Sequence, residues 1–124
     1  KIRILFKKRF EDPHCGFKLI DENGKVCFGV NTYSLNHFCG KVLSGQNVTF
    51  EFRINQKLQI GKYSINIGIA DGGFGYQSAD FKNSLGYIDT NNYFEVIKSE
   101  NSFSWAGPVL IDTTAKSYIN HTCL

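Results

Sequence analysis

Apolar and polar residues alternate along most of this chain with a period of two, which is typical of strands with one buried face. The clearest alternation flanks Asn23-Gly24, a dipeptide that favours the two-residue turn of a β-hairpin. We therefore predict a hairpin with strands over residues 16–21 and 25–30. The same alternation predicts further strands over 2–8, 48–54, 61–70, 92–98 and 109–112, with a short additional candidate at 38–43.

A long stretch of glycines and aromatic residues, 71–91, shows no regular alternation, and we predict that it is irregular. Loops of this length are unusual unless they are functional or contain a short helix. The tail, 113–124, has no clear pattern. Seven or eight strands joined by short turns predict an all-β, antiparallel β-sandwich or barrel, and no helical pattern exceeds two turns.

The length of 124 residues predicts a single domain, residues 1–124, with enough apolar surface for a core. The net charge of +3 is mildly basic and excludes little. The four cysteines are expected to be reduced thiols, because a domain of this size needs no disulfides. There is no apolar run of membrane-spanning length, no signal peptide and no initiating Met, so we expect a fragment of a longer protein.

Several kinds of chemistry find little support in the sequence. No phosphate-binding loop or nucleophile motif is present, and the carboxylates are scattered, which gives a glycosidase little support. The pairs His37/Cys39 and His121/Cys123 have chelating spacing on a strand, but a structural zinc site needs four converging ligands. A basic stripe for nucleic acid is missing. We expect no catalysis, no metal, no cofactor and no nucleic-acid partner.

Sugar recognition needs aromatic faces for the apolar side of a sugar ring and planar polar groups for its hydroxyls. The polar faces of the strands 48–54 and 61–70, together with nearby aromatic residues, offer both. An ordinary polar sheet face with a core Trp is the alternative interpretation of the same residues. The candidate carbohydrate-binding residues are Glu51, Arg53, Ser64, Asn66, Tyr76, Gln77, Tyr87 and Trp105.

Three segments carry a resemblance to a known family. They are EDPHCGFKLIDENGKVCFGVNT, LQIGKYSINIGIA, and DTNNYFEVI followed by Gly107-Pro108-Val109. In this order and spacing they resemble the C-terminal carbohydrate-binding domain of Wzt-type ATPase subunits, from ABC transporters that export O-antigen polysaccharide in lipopolysaccharide biosynthesis.

The resemblance implies an immunoglobulin-like β-sandwich that binds the non-reducing end of the finished polysaccharide and so licenses its export. It also implies a homodimer that exchanges a C-terminal strand, for which 109–120 is the candidate segment. An ATPase domain and a membrane transporter subunit are the implied partners in the full protein, at the cytoplasmic side of the bacterial inner membrane. The alternative is a structural or adhesin-type β-sandwich whose only partner is a protein.

Overall fold

The computed structural model describes residues 1–76, 79–100, 103–111 and 113–119. Its six strands all pair in antiparallel fashion and form two sheets. One sheet has four strands in the order β3-β2-β5-β6, and the other contains β1 and β4. The strands are β1 (Ile2–Leu5), β2 (Pro13–Ile20), β3 (Val26–Asn31), β4 (Asn47–Phe50), β5 (Gly61–Phe74) and β6 (Asp80–Val96).

The hairpin of β2 and β3 forms where the sequence predicts it. The carboxylate of Asp21 accepts hydrogen bonds from the backbone N–H groups of Asn23, at 2.9 Å, and Lys25, at 2.8 Å. Gly24 has a φ of 80°, a left-handed conformation that glycine adopts without steric cost. The predicted hairpin is confirmed, but the Asp21 N–H donates to the Lys25 carbonyl at 2.9 Å, so the turn has three residues and not the two that Asn-Gly favours.

The two sheets pack face to face around a core that both of them supply. Four side chains from different parts of the first 50 residues are buried together. They are Phe6, Cys15, Val42 and Phe50. Ile67 and Ile69 of β5 pack against them, as do apolar residues of β1 and β4. Phe17 and Leu19 of β2 are also buried. The predicted all-β antiparallel sandwich is confirmed.

The described residues contain six strands, whereas the alternation predicts seven or eight. The predicted strand 48–54 ends at Phe50, because the register pairs Phe50 with Ile2 and no strand lies opposite the following residues. The candidate strand 38–43 contributes only an isolated bridge between Phe10 and Val42. The predicted strand 109–112 is absent over 109–111, and residue 112 lies outside the described part. Alternation reveals an extended segment but not its hydrogen-bonding partner.

The prediction of an irregular stretch over 71–91 is wrong. β5 continues to Phe74 and β6 begins at Asp80, so most of the stretch belongs to a long hairpin. The register shifts between Ser64 and Asn66 and again between Ile69 and Ala70, which interrupts a period of two. β6 is also an edge strand that is exposed along most of its length, so little of it needs to be apolar. In the described part of the chain, no helix is long and apolar enough to cross a membrane.

Candidate functional site

A trough of about 580 Å³ lies on the outer face of the four-stranded sheet, on the side away from the core. All four strands of that sheet contribute to its lining. Its floor consists of residues with small side chains or none, which lets a ligand lie close to the backbone. These floor residues are Gly16, Gly29, Gly68, Ala70 and Gly86.

Two of the floor glycines have no structural reason to be glycine. A Cβ at Gly16 would lie 2.8 Å from the Cβ of Asn31, so that position has no room for a side chain. A Cβ at Gly68 would make only an ordinary contact of 3.6 Å with the Tyr87 ring, and one at Gly86 would meet nothing within 4 Å. Neither Gly68 nor Gly86 has a positive φ. Gly68 keeps the trough open, whereas Gly86 pairs with the core-facing Ile69, so a side chain there would point to the opposite face of the sheet.

Polar groups converge at one end of the trough. The register places Lys18 opposite Asn66 and Gly68 opposite Tyr87. The side-chain amide of Asn66 donates a hydrogen bond to the Tyr87 hydroxyl at 3.0 Å, and the Lys18 ammonium lies 5.5 Å from the centre of the Tyr87 ring. Among the described residues, the Asn66 side-chain carbonyl oxygen is buried and has no hydrogen-bond partner. This end therefore offers a cation, an aromatic face and a free acceptor.

An aromatic cluster around His14 closes the other end. His14 is 1% exposed, and the rings of Tyr33, Phe38 and Phe81 surround its imidazole at centroid distances of 5.4, 5.3 and 5.7 Å. The ring nitrogens hydrogen-bond to the Thr32 hydroxyl at 2.8 Å and to the Asp12 carboxylate at 3.0 Å. Both ring nitrogens are therefore satisfied, and the cluster is a fixed wall of the trough.

A smaller hollow of about 280 Å³ continues from the aromatic end, and it shares Ser34 and Ala79 with the trough. The Tyr33 hydroxyl donates to the Gly75 carbonyl at 3.0 Å, which ties the β5–β6 turn to the turn after β3. Tyr76 lies in this hollow with a fully exposed side chain. The two cavities form one path across the outer face.

The structure brings together some of the predicted site residues. Asn66 and Tyr87 contact each other in the trough. Ser64 lies two residues before Asn66 on the same face of β5, outside the trough lining. Tyr76 lines the adjoining hollow. Gln77 lies outside the described residues.

The other predicted residues lie elsewhere. We expected Glu51 and Arg53 beside β5, but β4 pairs with β1, so both lie by the opposite sheet. There the Glu51 carboxylate approaches the Lys1 ammonium at 3.7 Å and the Arg53 guanidinium at 3.5 Å. Trp105 lines a separate cavity of about 230 Å³ that shares no residue with the trough. β4 ends at Phe50, so neither residue lies in a strand, and the expected position beside β5 is wrong.

The sequence indicates small residues at Gly68 and Ala70 that let a ligand lie close to the sheet, but sequence reasoning missed Lys18 and the glycines of the neighbouring strands, Gly16, Gly29 and Gly86. The signal that could have found them is small or polar residues at every second position, such as Gly16 and Lys18 in β2 and Asn66 and Gly68 in β5. These residues form a site only because β2 pairs with β5. The hairpin turn specifies the pairing of β2 with β3 but not the pairing of β2 with β5.

In the described part of the chain, no group of three or more His, Cys, Asp or Glu side chains could hold a metal ion. Cys15, Cys27 and Cys39 are free thiols. Burial raises the pKa of the Cys15 thiol to about 12, so it remains protonated near neutral pH. Cys15 is therefore a core side chain.

Comparisons with known proteins agree on one domain type. The family model described as the Wzt C-terminal domain matches residues 1–109. A solved structure, the crystal structure of the C-terminal domain of Wzt, is similar with a TM-score of 0.74 at 19% sequence identity. The likeness covers 94% of this chain and 66% of that chain, and at this identity it shows a common fold. No curated protein matches the chain.

Proposed function

The chain belongs to the Wzt C-terminal domain family, and we propose that it is the polysaccharide-recognition domain of an ABC transporter that exports O-antigen. In this proposal the domain binds the non-reducing end of the O-antigen polysaccharide, without catalysis or a cofactor, and this binding licenses export. The observation that carries the proposal is the glycine-floored trough on the outer sheet face.

The trough suits a sugar in size and chemistry. Its volume of about 580 Å³ lies within the range of roughly 300–1,000 Å³ that small-ligand pockets occupy. The Tyr87 ring offers a face for the apolar side of a pyranose, and Asn66 offers an acceptor for a hydroxyl. Gly68 and the Gly16 opposite it leave room for a ring to approach the sheet closely. These features support glycan binding at this face.

The lining also supports binding rather than hydrolysis. Glycoside hydrolysis uses a pair of carboxylates across the scissile bond. The described residues that line the trough supply amides, hydroxyls, a lysine and aromatic rings. The proposal therefore assigns this domain to recognition, with energy conversion left to an ATPase domain in the full protein.

The proposed partners follow the same reasoning. The domain acts as a homodimer that exchanges its C-terminal segment, and the full protein works with a membrane transporter subunit at the cytoplasmic face of the inner membrane. Large apolar side chains near the C-terminus support the exchange, since Ile111 is 71% and Ile119 is 84% exposed. An apolar segment with free backbone groups is suited to pair with the edge of a sheet.

The experiment that tests the site is calorimetric titration of the 124-residue chain with lipid-free O-polysaccharide from its source strain. Foreign O-polysaccharides serve as controls for specificity. In the Gly68→Val variant an isopropyl group covers the floor between Gly16 and Tyr87, which lie opposite Gly68 in the register. We expect affinity to fall about tenfold or more, a change of 1.4 kcal/mol or more. Valine favours strands, so the variant should fold.

The matched control is Thr49→Val, which places valine on an exposed strand position of the other sheet and should bind as the unmodified chain does. A folded Gly68→Val variant with unchanged affinity would show that the trough is not the site. A folded chain that binds no polysaccharide at all would favour the alternative of a domain whose only partner is a protein.

A further inference from the structure

We propose that the trough selects an anionic sugar, and that the Lys18 ammonium binds the carboxylate of a uronic acid or the phosphate of a phosphorylated residue. The inference rests on the proposed function in one respect, namely that the trough binds a glycan. It adds the chemical class of the sugar and the residue that discriminates it.

The charge of Lys18 is not compensated within the trough. Lys18 takes part in none of the ion pairs found among the described residues, and no Asp or Glu is part of the described trough lining. Asp89 lies opposite Asn66 on β6, outside the trough lining, and its carboxylate accepts a hydrogen bond from the Asn91 N–H at 3.0 Å. A ligand in the trough therefore meets one positive charge and no lining carboxylate.

The position of the Lys18 side chain is set by its neighbours. Gly29 lies opposite Lys18 in the register, and a Cβ at Gly29 would lie only 3.2 Å from the Lys18 Cγ, so glycine leaves the lysine stem room to lie across β3. The Tyr87 ring attracts the ammonium, which lies 5.5 Å from the ring centre. These two contacts hold the charge at the end of the trough while leaving it exposed to a ligand.

The buried side-chain oxygen of Asn66, beside Lys18, sets a second requirement for the ligand, which is a hydrogen-bond donor. The Asn66 side-chain oxygen has no donor among the described residues, and a buried acceptor without a donor costs free energy. A sugar hydroxyl is a suitable donor. Directly opposed strand residues have Cβ atoms about 5 Å apart, so Lys18 and Asn66 are close enough to contact one sugar residue. The pair matches a sugar that carries an anionic group near a hydroxyl.

The test compares Lys18→Gln with Lys62→Gln by titration with the source-strain polysaccharide. Both variants remove one positive charge from an exposed lysine of the four-stranded sheet, but Lys62 does not line the trough. We expect Lys18→Gln to weaken binding about tenfold, since hydrogen bonds to charged groups are strong, and Lys62→Gln to have no effect. Lys18→Arg should keep most of the affinity. Raising the salt concentration should weaken binding by the unmodified chain more than by Lys18→Gln.

The source of the negative charge is distinguished by treating the polysaccharide. Reduction of its carboxyl groups to alcohols should abolish the advantage of Lys18 if the group is a uronate, and removal of phosphate esters should abolish it if the group is a phosphate. If Lys18→Gln binds as tightly as the unmodified chain with the same salt dependence, the inference is wrong and the proposed function stands. If the unmodified chain binds no polysaccharide, both are overturned.

Discussion

At the scale of single residues, the Thr32 hydroxyl joins the aromatic wall of the trough to the core strand β2. It hydrogen-bonds to the His14 ring at 2.8 Å and accepts the Cys15 N–H at 3.2 Å, and Thr32 is 4% exposed. In Thr32→Val both partners lose this hydroxyl while the shape of the side chain is kept. We expect the free energy of unfolding to fall by about 1–3 kcal/mol, the cost of leaving buried polar groups unpaired.

The measurement is urea unfolding followed by the fluorescence of the single tryptophan. Thr49→Val is the matched control, because Thr49 is exposed on β4, and surface substitutions of this kind change stability by about 0.5 kcal/mol or less. Equal stability of the two variants would show that the His14 imidazole does not depend on Thr32.

Cys15 gives a prediction about alkaline pH. Burial raises the pKa of its thiol from an ordinary 9.0 to about 12, so in the folded state it keeps its proton where the unfolded chain loses it. The contribution of Cys15 to stability is therefore complete below pH 9 and is lost progressively between pH 9 and pH 12. The urea midpoint should fall between pH 8 and pH 10.5 by more in the unmodified chain than in Cys15→Ala. Identical pH dependence in the two chains would contradict the role of this thiol.

At the scale of elements, the sequence predicts those strands that have a turn signal beside them or a clear apolar face. The hairpin of β2 and β3 follows from Asn23-Gly24 and from apolar residues on one face, and its bounds are close to those predicted. Only the end of β6 is predicted, by the strand expected over 92–98, because an edge strand exposed over most of its length has no apolar face to show in the sequence. The register shifts in the β5–β6 pairing hide the period of two as well.

The same limit applies to the candidate site. Asn66 and Tyr87 were predicted, since one lies on a clear strand and the other in a segment rich in aromatic residues. The expected position of Glu51 and Arg53 beside β5 is wrong, because β4, which ends just before them, pairs with β1 through contacts distant in sequence. Which strands become neighbours depends on packing of the whole chain, and a local pattern does not contain that information.

Two glycines of the β5–β6 hairpin give the element-scale prediction. A Cβ at Gly73 would lie 2.3 Å from the Cδ2 atom of Tyr33, and Tyr33 is held by its ring contacts and its hydrogen bond to Gly75. We expect Gly73→Ala to lower the free energy of unfolding by about 1–3 kcal/mol through overpacking. Gly86→Ala, with nothing within 4 Å of the new methyl group, should leave stability unchanged or raise it.

Denaturant unfolding of both alanine variants measures this difference directly. A stable Gly73→Ala variant would mean that Tyr33 moves away at little cost, and the wall of the trough would then be adaptable. A marked loss of stability in Gly86→Ala would show that this glycine has a structural role.

At the scale of the whole molecule, the apolar residues near the C-terminus set the expected assembly. Val109, Ile111, Tyr118 and Ile119 are each at least 65% exposed. Isolated exposed apolar side chains are normal on protein surfaces, but several in one segment outside any strand indicate a surface that a partner covers. In the proposed homodimer that partner is a second copy, and exchange of identical segments gives a symmetric interface.

The proposed dimer depends on the burial of these side chains, so placing charges among them should separate the subunits. In Ile111→Asp combined with Ile119→Asp, each subunit would have to bury two carboxylates at the interface, which is costly without ion-pair partners. We expect light scattering after size exclusion to give a dimer for the unmodified chain and a monomer for the double variant. Leu43→Asp is the control, since Leu43 is 46% exposed outside this segment and should leave the dimer intact. A monomeric unmodified chain at a concentration of about 0.1 mM, where a Kd of 1 μM would leave most of the chain dimeric, would exclude strand exchange as the basis of assembly.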